Sequence, residues 1–200
     1  MMIDIFSIFI WALLSFNAKV LQTDHVVINK NDRVLLMGDS HVENLDQVIS
    51  RLSKKDNIIF ESVYVSGSSI QQWANPKTKG WDITDKWNQI NQFKPTIILI
   101  SLGSNDSYSG QNVITIDQPH LITLLLCLKK IQARDIIWIG PPKLARAKTG
   151  LEAFYQLIEN NKIDYYDSRD IEIDMEPDQL HTTGKGRKIW ANWIWNKLTH

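Results

Sequence analysis

The sequence predicts a three-layer αβα sandwich built on a doubly wound parallel sheet of about five strands. Two observations carry this. Short apolar runs of strand length alternate with stretches whose apolar residues recur at three and four, the pattern of a parallel sheet covered on both faces. The chain has 200 residues, 44% of them hydrophobic, which suits one sizeable core and leaves little room for two. No internal repeat, low-complexity tract or linker divides it. Residues 1–31 read as an apolar N-terminal segment and connector, and 32–200 as one domain.

The first unit is Arg33 to Met37, a turn at Gly38-Asp39-Ser40, and a helix whose apolar positions are Val42, Leu45, Val48, Ile49 and Leu52. A second strand, Ile58 to Val65, ends at Ser66-Gly67-Ser68-Ser69. A short helix through Trp73, a loop with Pro76 and Gly80, and a helix from Asp82 to Phe93 follow. Thr96 to Ser101 is a buried run, followed by Leu102-Gly103-Ser104-Asn105-Asp106. A polar loop extends to about Asp117. A helix is expected from Pro119 to Ala133, because proline fits a first helical turn, with Leu121, Leu124, Leu125 and Leu128 on one face. Asp135 to Gly140 forms the next strand and Pro141-Pro142 stops it. Ala145 to Asn160 is helical and Ile163 to Tyr166 is a fifth strand. His181 to Leu198 closes the fold as a helix around Ile189, Trp190, Trp193 and Ile194. Val26-Val27-Ile28 can add a short strand.

Ile5 to Phe16 is an apolar run shorter than the roughly 20 residues a membrane-spanning helix needs. No Lys or Arg precedes it, and Phe16-Asn17-Ala18 is a weak cleavage site. A signal peptide and a retained apolar helix, docked on the domain or on a protein partner, both remain open. A secreted, cell-envelope or virion-associated protein is favoured over a transmembrane one.

Lys plus Arg and Asp plus Glu both number 22, so no global field holds nucleic acid or an anionic membrane. The single cysteine, Cys127, excludes a disulfide framework and a Cys-rich zinc site, and its apolar surroundings predict a buried, inert thiol. His25, His120 and His200 have no matching partners. The acidic run Asp170, Glu172, Asp174 and Glu176 lacks calcium-loop spacing and reads as a solvated loop. There is no dinucleotide fingerprint or phosphate loop to suggest a nucleotide cofactor.

Polar groups concentrate after the strands, where open parallel sheets place ligands. Ser40 stands at a strand-to-helix turn, where it is either a nucleophile or, with Asp39, a helix cap. Asp178 and His181 are within one turn of each other, so the carboxylate can orient the imidazole. Gly67 supplies a backbone amide and Asn105 a side-chain amide, both suited to an oxyanion.

In this order the motifs resemble those of the SGNH hydrolases, or GDSL-type lipases and esterases. They are Gly38-Asp39-Ser40-His41, Gly67, Gly103-Ser104-Asn105-Asp106 and Asp178-Gln179-Leu180-His181, with His41 where the name motif has Leu. The resemblance runs from about Asp32 to the C-terminus and implies a flavodoxin-like sheet order. It also implies Ser40 as nucleophile, His181 as general base and then acid, and Asp178 as the holder of the imidazole tautomer. The N–H groups of Ser40 and Gly67 and the Asn105 side chain would form the oxyanion hole. The implied activity is carboxylic-ester hydrolysis through an acyl-enzyme, a serine mechanism that needs neither metal nor organic cofactor.

A small acyl ester or acetylated glycan is the expected substrate, most simply an O-acetylated carbohydrate or cell-envelope polymer. This follows from the spelling Gly67-Ser68-Ser69-Ile70-Gln71-Gln72-Trp73, similar to small SGNH domains of bacterial envelopes and phage particles, and from the cluster Trp73, Trp81 and Trp87. His41 and Trp73 are the candidate substrate contacts, against rim and packing roles. The alternative from another class is a non-catalytic structural or glycan-binding subunit of a larger assembly that retains the fold.

Overall fold

The structure is a computed structural model that describes residues 26–199. The apolar segment Ile5 to Phe16, with its targeting and partner readings, lies outside the described residues, as do His25 and His200. In chain order the elements are β1 (Arg33–Gly38), α1 (Ser40–Lys55), β2 (Ile59–Tyr64), α2 (Ile70–Ala74), β3 (Lys77–Thr78), β4 (Trp81–Asp82), α3 (Thr84–Phe93), β5 (Ile97–Ser101), α4 (Val113–Lys129), β6 (Asp135–Ile139), α5 (Lys148–Asn160), β7 (Tyr165–Tyr166) and α6 (Gly184–Thr199).

Alternation along the strands builds both faces of the sheet. Leu35 and Met37 of β1 enter one apolar cluster while Val34 and Leu36 enter the other. β5 divides the same way, Ile98 and Ile100 against Ile97 and Leu99. On the first face lie α2 to α5, contributing Trp73, Ile90, Leu124 and Phe154; on the second lie α1 and α6, contributing Leu45, Ile49, Trp190 and Ile194. Among the described residues the main sheet has order β2-β1-β5-β6-β7 with every pair parallel. This is the doubly wound α/β sandwich expected. The strand order reverses between β1 and β5, so Ser40 and Asn105, at their carboxyl ends, flank the switch point where such sheets bind ligands.

Several expectations are corrected. α4 begins at Val113, so Pro119 lies inside the helix. Val113 is fully buried, and its docking in the core outweighs the missing proline N–H. The loop with Pro76 and Gly80 holds the antiparallel hairpin β3–β4. Val26 to Ile28 adds no strand, although the Ile28 N–H donates to the Leu198 carbonyl at 3.1 Å. Ile189 is exposed; Ala191, Trp195 and Leu198 fill the core beside Trp190 and Ile194. Cys127 is only half-buried. His181 precedes the last helix, because Thr183 caps it: its Oγ1 accepts from the Gly186 N–H at 3.0 Å and its carbonyl from Arg187 at 2.9 Å. Among the described residues no helix is long and apolar enough to cross a membrane.

Candidate active site

Ser40 owes its position to its neighbours. At Gly38 a Cβ would fall 1.9 Å from the Ser101 carbonyl oxygen, so only glycine lets β1 turn this close to β5. Asp39 is the N-cap of α1, and its Oδ1 accepts from the His41 N–H at 2.9 Å. Because Asp39 does the capping, the Ser40 hydroxyl points to other partners. Its Oγ lies 3.2 Å from His181 Nε2.

The loop carrying His181 is held as a tight turn. The Glu176 N–H donates to the His181 carbonyl at 2.7 Å, the Thr183 N–H to Asp174 at 3.0 Å, and Gln179 takes a left-handed conformation, φ 58°. Asp178 folds back over this turn. One of its oxygens accepts from the Leu180 and His181 N–H groups, each at 2.9 Å, and the other sits 2.6 Å from His181 Nδ1. The bond to the imidazole, followed by those two backbone bonds, holds the Asp178 carboxyl well below the usual carboxylate range. An ionised Asp178 accepts the Nδ1 proton, which leaves the Nε2 lone pair facing the Ser40 hydroxyl.

The loop after β2 adds further donors. Gly67 has φ +77°, and neither its N–H nor that of Ser40 has a partner among the described residues. The Asn105 side-chain amide donates to the Ser68 carbonyl at 2.8 Å and to Asp39 Oδ2 at 3.3 Å. Asp106 Oδ1 accepts from the Ile70 N–H at 3.0 Å, so consecutive residues after β5 grip the loop after β2. Burial pushes Asp39 up to about 7. Burial, with Asp117 nearby, pushes Asp106 up to about 8. Sequence reasoning assigned no role to Asp106; its place beside Asn105 was the available signal.

The two candidate substrate contacts are corrected. His41 is buried, 6.2 Å from the His181 ring and edge-on to Trp190 at 5.3 Å between centroids, with neither ring nitrogen hydrogen-bonded. Trp73 is fully buried, donating its indole N–H to Ser68 Oγ at 2.9 Å beneath the loop. The helical period turns both side chains toward the core, so neither presents a surface to a ligand. Among the described residues no three His, Cys, Asp or Glu side chains gather as metal ligands.

No protein-family model matches the chain, and no curated protein does. Solved structures do. A protein from Slackia heliotrinireducens assigned to the SGNH hydrolases superposes with a TM-score of 0.63 at 14% identity, over 84% of this chain and 98% of that one. The fold is that of the SGNH hydrolases. An acetyl esterase variant solved with an acetate ion shares this SGNH fold with a TM-score of 0.60 at 17% identity, over 83% of this chain and 95% of that one. A peptidoglycan O-acetylesterase matches with a TM-score of 0.54 at 15% identity, over 70% of this chain and 45% of that longer one. Within the SGNH fold of this chain, Ser40 opens the helix that follows β1, and Gly67, Asn105, Asp178 and His181 lie in loops that follow strands of the parallel sheet.

Proposed function

We propose that the chain is a serine esterase that hydrolyses carboxylic esters through an acyl-enzyme. The observation that carries this reading is the connected line Ser40 Oγ, His181 Nε2, His181 Nδ1, Asp178 Oδ2, with steps of 3.2 and 2.6 Å, beside two open backbone N–H groups. His181 Nε2 takes the hydroxyl proton as Ser40 Oγ attacks the ester carbonyl, and Asp178 stabilises the imidazolium that forms. The oxyanion is met by the N–H groups of Ser40 and Gly67. Asn105 joins them by exchanging its longer bond, to Asp39, for one to the oxyanion. His181 then protonates the departing alcohol. Water, deprotonated by the same imidazole, releases the acid and restores Ser40.

The substrate proposed is a small acyl ester, most simply an acetyl group on a carbohydrate or cell-envelope polymer. Structural neighbours that include an acetyl esterase and a peptidoglycan O-acetylesterase support it. A secreted, envelope or virion setting accompanies this substrate class. The test is intact-mass analysis after treatment with a fluorophosphonate–biotin probe. One adduct at Ser40, lost in Ser40→Ala and strongly reduced in His181→Ala, is the expected result. No adduct on folded protein overturns the proposal in favour of a structural or glycan-binding module.

A further inference from the structure

We infer that Trp81 forms the wall of the acyl pocket and restricts this esterase to short acyl groups, an inference that rests on the reading of Ser40 as nucleophile. Trp81 opens β4, and the hairpin that carries it is closed by the Ile83 N–H donating to the Pro76 carbonyl at 2.9 Å. This hairpin sets the indole beside the candidate oxyanion loop: a methyl group built on Gly67 would touch Trp81 Cη2 at 3.9 Å. The ring therefore borders the open side of the residue whose N–H, in the proposed mechanism, faces the substrate carbonyl.

Trp81 also differs from the other described tryptophans. Trp73, Trp87, Trp138, Trp190 and Trp195 each donate the indole N–H to a protein acceptor, and Trp193 packs edge-on to Tyr166. Trp81 has no indole hydrogen bond and no ring–ring contact among the described residues, and it is only half-buried, with part of its surface packed on the core. Its fold-stabilising partners leave an indole surface and an N–H available.

The directions at Ser40 decide which part of the ester meets this surface. The tetrahedral carbon bears the Ser40 oxygen, the oxyanion, the leaving alcohol and the acyl chain. The alcohol must lie within reach of His181 Nε2, which protonates it. His181 follows β7 at one edge of the sheet, with its ring 6.2 Å from that of His41, which packs edge-on to Trp190 on the α1 and α6 side. Gly67 and Trp81 follow β2 at the opposite edge, and Trp81 packs on the other face. The substituent on the Trp81 side is therefore the acyl chain.

The test compares sulfonylation of Ser40 by methanesulfonyl fluoride and hexanesulfonyl fluoride in the full chain, followed by intact mass. In each case the Oγ–S bond forms, fluoride leaves, and the hydroxyl proton passes to His181. The wild type is expected to react at least about tenfold faster with the methyl reagent. In Trp81→Ala that preference falls about tenfold or more. The 4-nitrophenyl esters of acetate and hexanoate should show the same change in their kcat/KM ratio. A selectivity ratio unchanged in Trp81→Ala, with Ser40 still labelled, overturns the wall and leaves the esterase reading intact. A wild-type Ser40 inert to both reagents overturns both. Trp81→Leu keeps an apolar side chain on the hairpin and gives the same readout should the alanine variant fail to fold.

Discussion

Ser40 is the first residue of α1, where its N–H has no acceptor within the helix and lies near the positive end of the helix dipole. In the proposed mechanism a developing oxyanion is the partner that this N–H lacks. Asn105 lends the same site a donor from another strand end, and its present bonds to Ser68 and Asp39 hold the amide in place before substrate arrives. Asn105→Ala is expected to lower kcat about 100- to 1000-fold with little change in KM, since the lost bond belongs to the transition state. Steady-state kinetics on 4-nitrophenyl acetate checks this. His41 calls for a different measurement. Burial, and then the charge of His181, pulls it down to about 4. The unfolded chain takes up a proton near pH 6.5 that the folded chain refuses until about pH 4. The His41 contribution to stability is therefore full well above about pH 6.5 and is lost as pH drops toward 4, by about 2 kcal/mol at pH 5, against the opposite trend of the buried carboxyls. His41→Leu should remove that loss, so relative to the wild type the variant should gain about 2 kcal/mol more at pH 5 than at pH 7, read from urea midpoints at both pH values.

At the scale of elements, two short segments matter most. The turn over 174–183 brings Asp178 and His181 together through backbone bonds, including the Met175–Thr182 bridge, so neither residue depends on a regular helix for its place. The hairpin β3–β4 performs the equivalent task for Trp81. Their sequences carry little periodicity to read, and local geometry closes only when the rest of the chain supplies acceptors. Pro119 shows the reverse case, a strong local signal overridden. Its ring denies the Thr115 carbonyl a helical donor, yet α4 continues because Val113 and Leu121 are both buried. Pro119 is exposed, so Pro119→Ala should stabilise the protein by about 1–3 kcal/mol, read as an upward shift of the urea midpoint at constant slope.

For the whole molecule, the ends of the strands gather carboxyl groups that the sheet and helices seal from water. Burial raises Asp39 to about 7 and Asp117 to about 6; burial and Asp117 raise Asp106 to about 8. Each binds its proton more tightly folded than unfolded, so stability grows as pH falls through these values. The protein is expected to be more stable at pH 6.5 than at pH 8.5, on the order of 2 kcal/mol, because the His41 loss has barely begun at pH 6.5. Urea titrations at both pH values test this, and Asp106→Asn should flatten the difference. A midpoint that rises from pH 6.5 to pH 8.5 would contradict the assignment.

Alternation and helical period are local properties, which is why the order of strands and helices and the two-faced core were legible in the sequence; the candidate residues from Ser40 to His181 were legible only through motifs that resemble those of the SGNH hydrolases. The same local signals left open whether His41 and Trp73 meet a ligand or pack, and both are buried. Residue type shows what a side chain can do, whereas its direction depends on the face of the element that meets the core. Which tryptophan stands beside Gly67, where α4 begins, and which carboxyls lose their water depend on contacts between residues tens of positions apart. The sequence by itself determined the fold class, because that is encoded in periodicity, and it nominated the candidate site residues through the order of motifs that resemble those of the SGNH hydrolases. The tertiary structure alone decided the distances from Ser40 to His181 and from Gly67 to Trp81, because only the packed fold brings the ends of separate strands and the β3–β4 hairpin to one cleft.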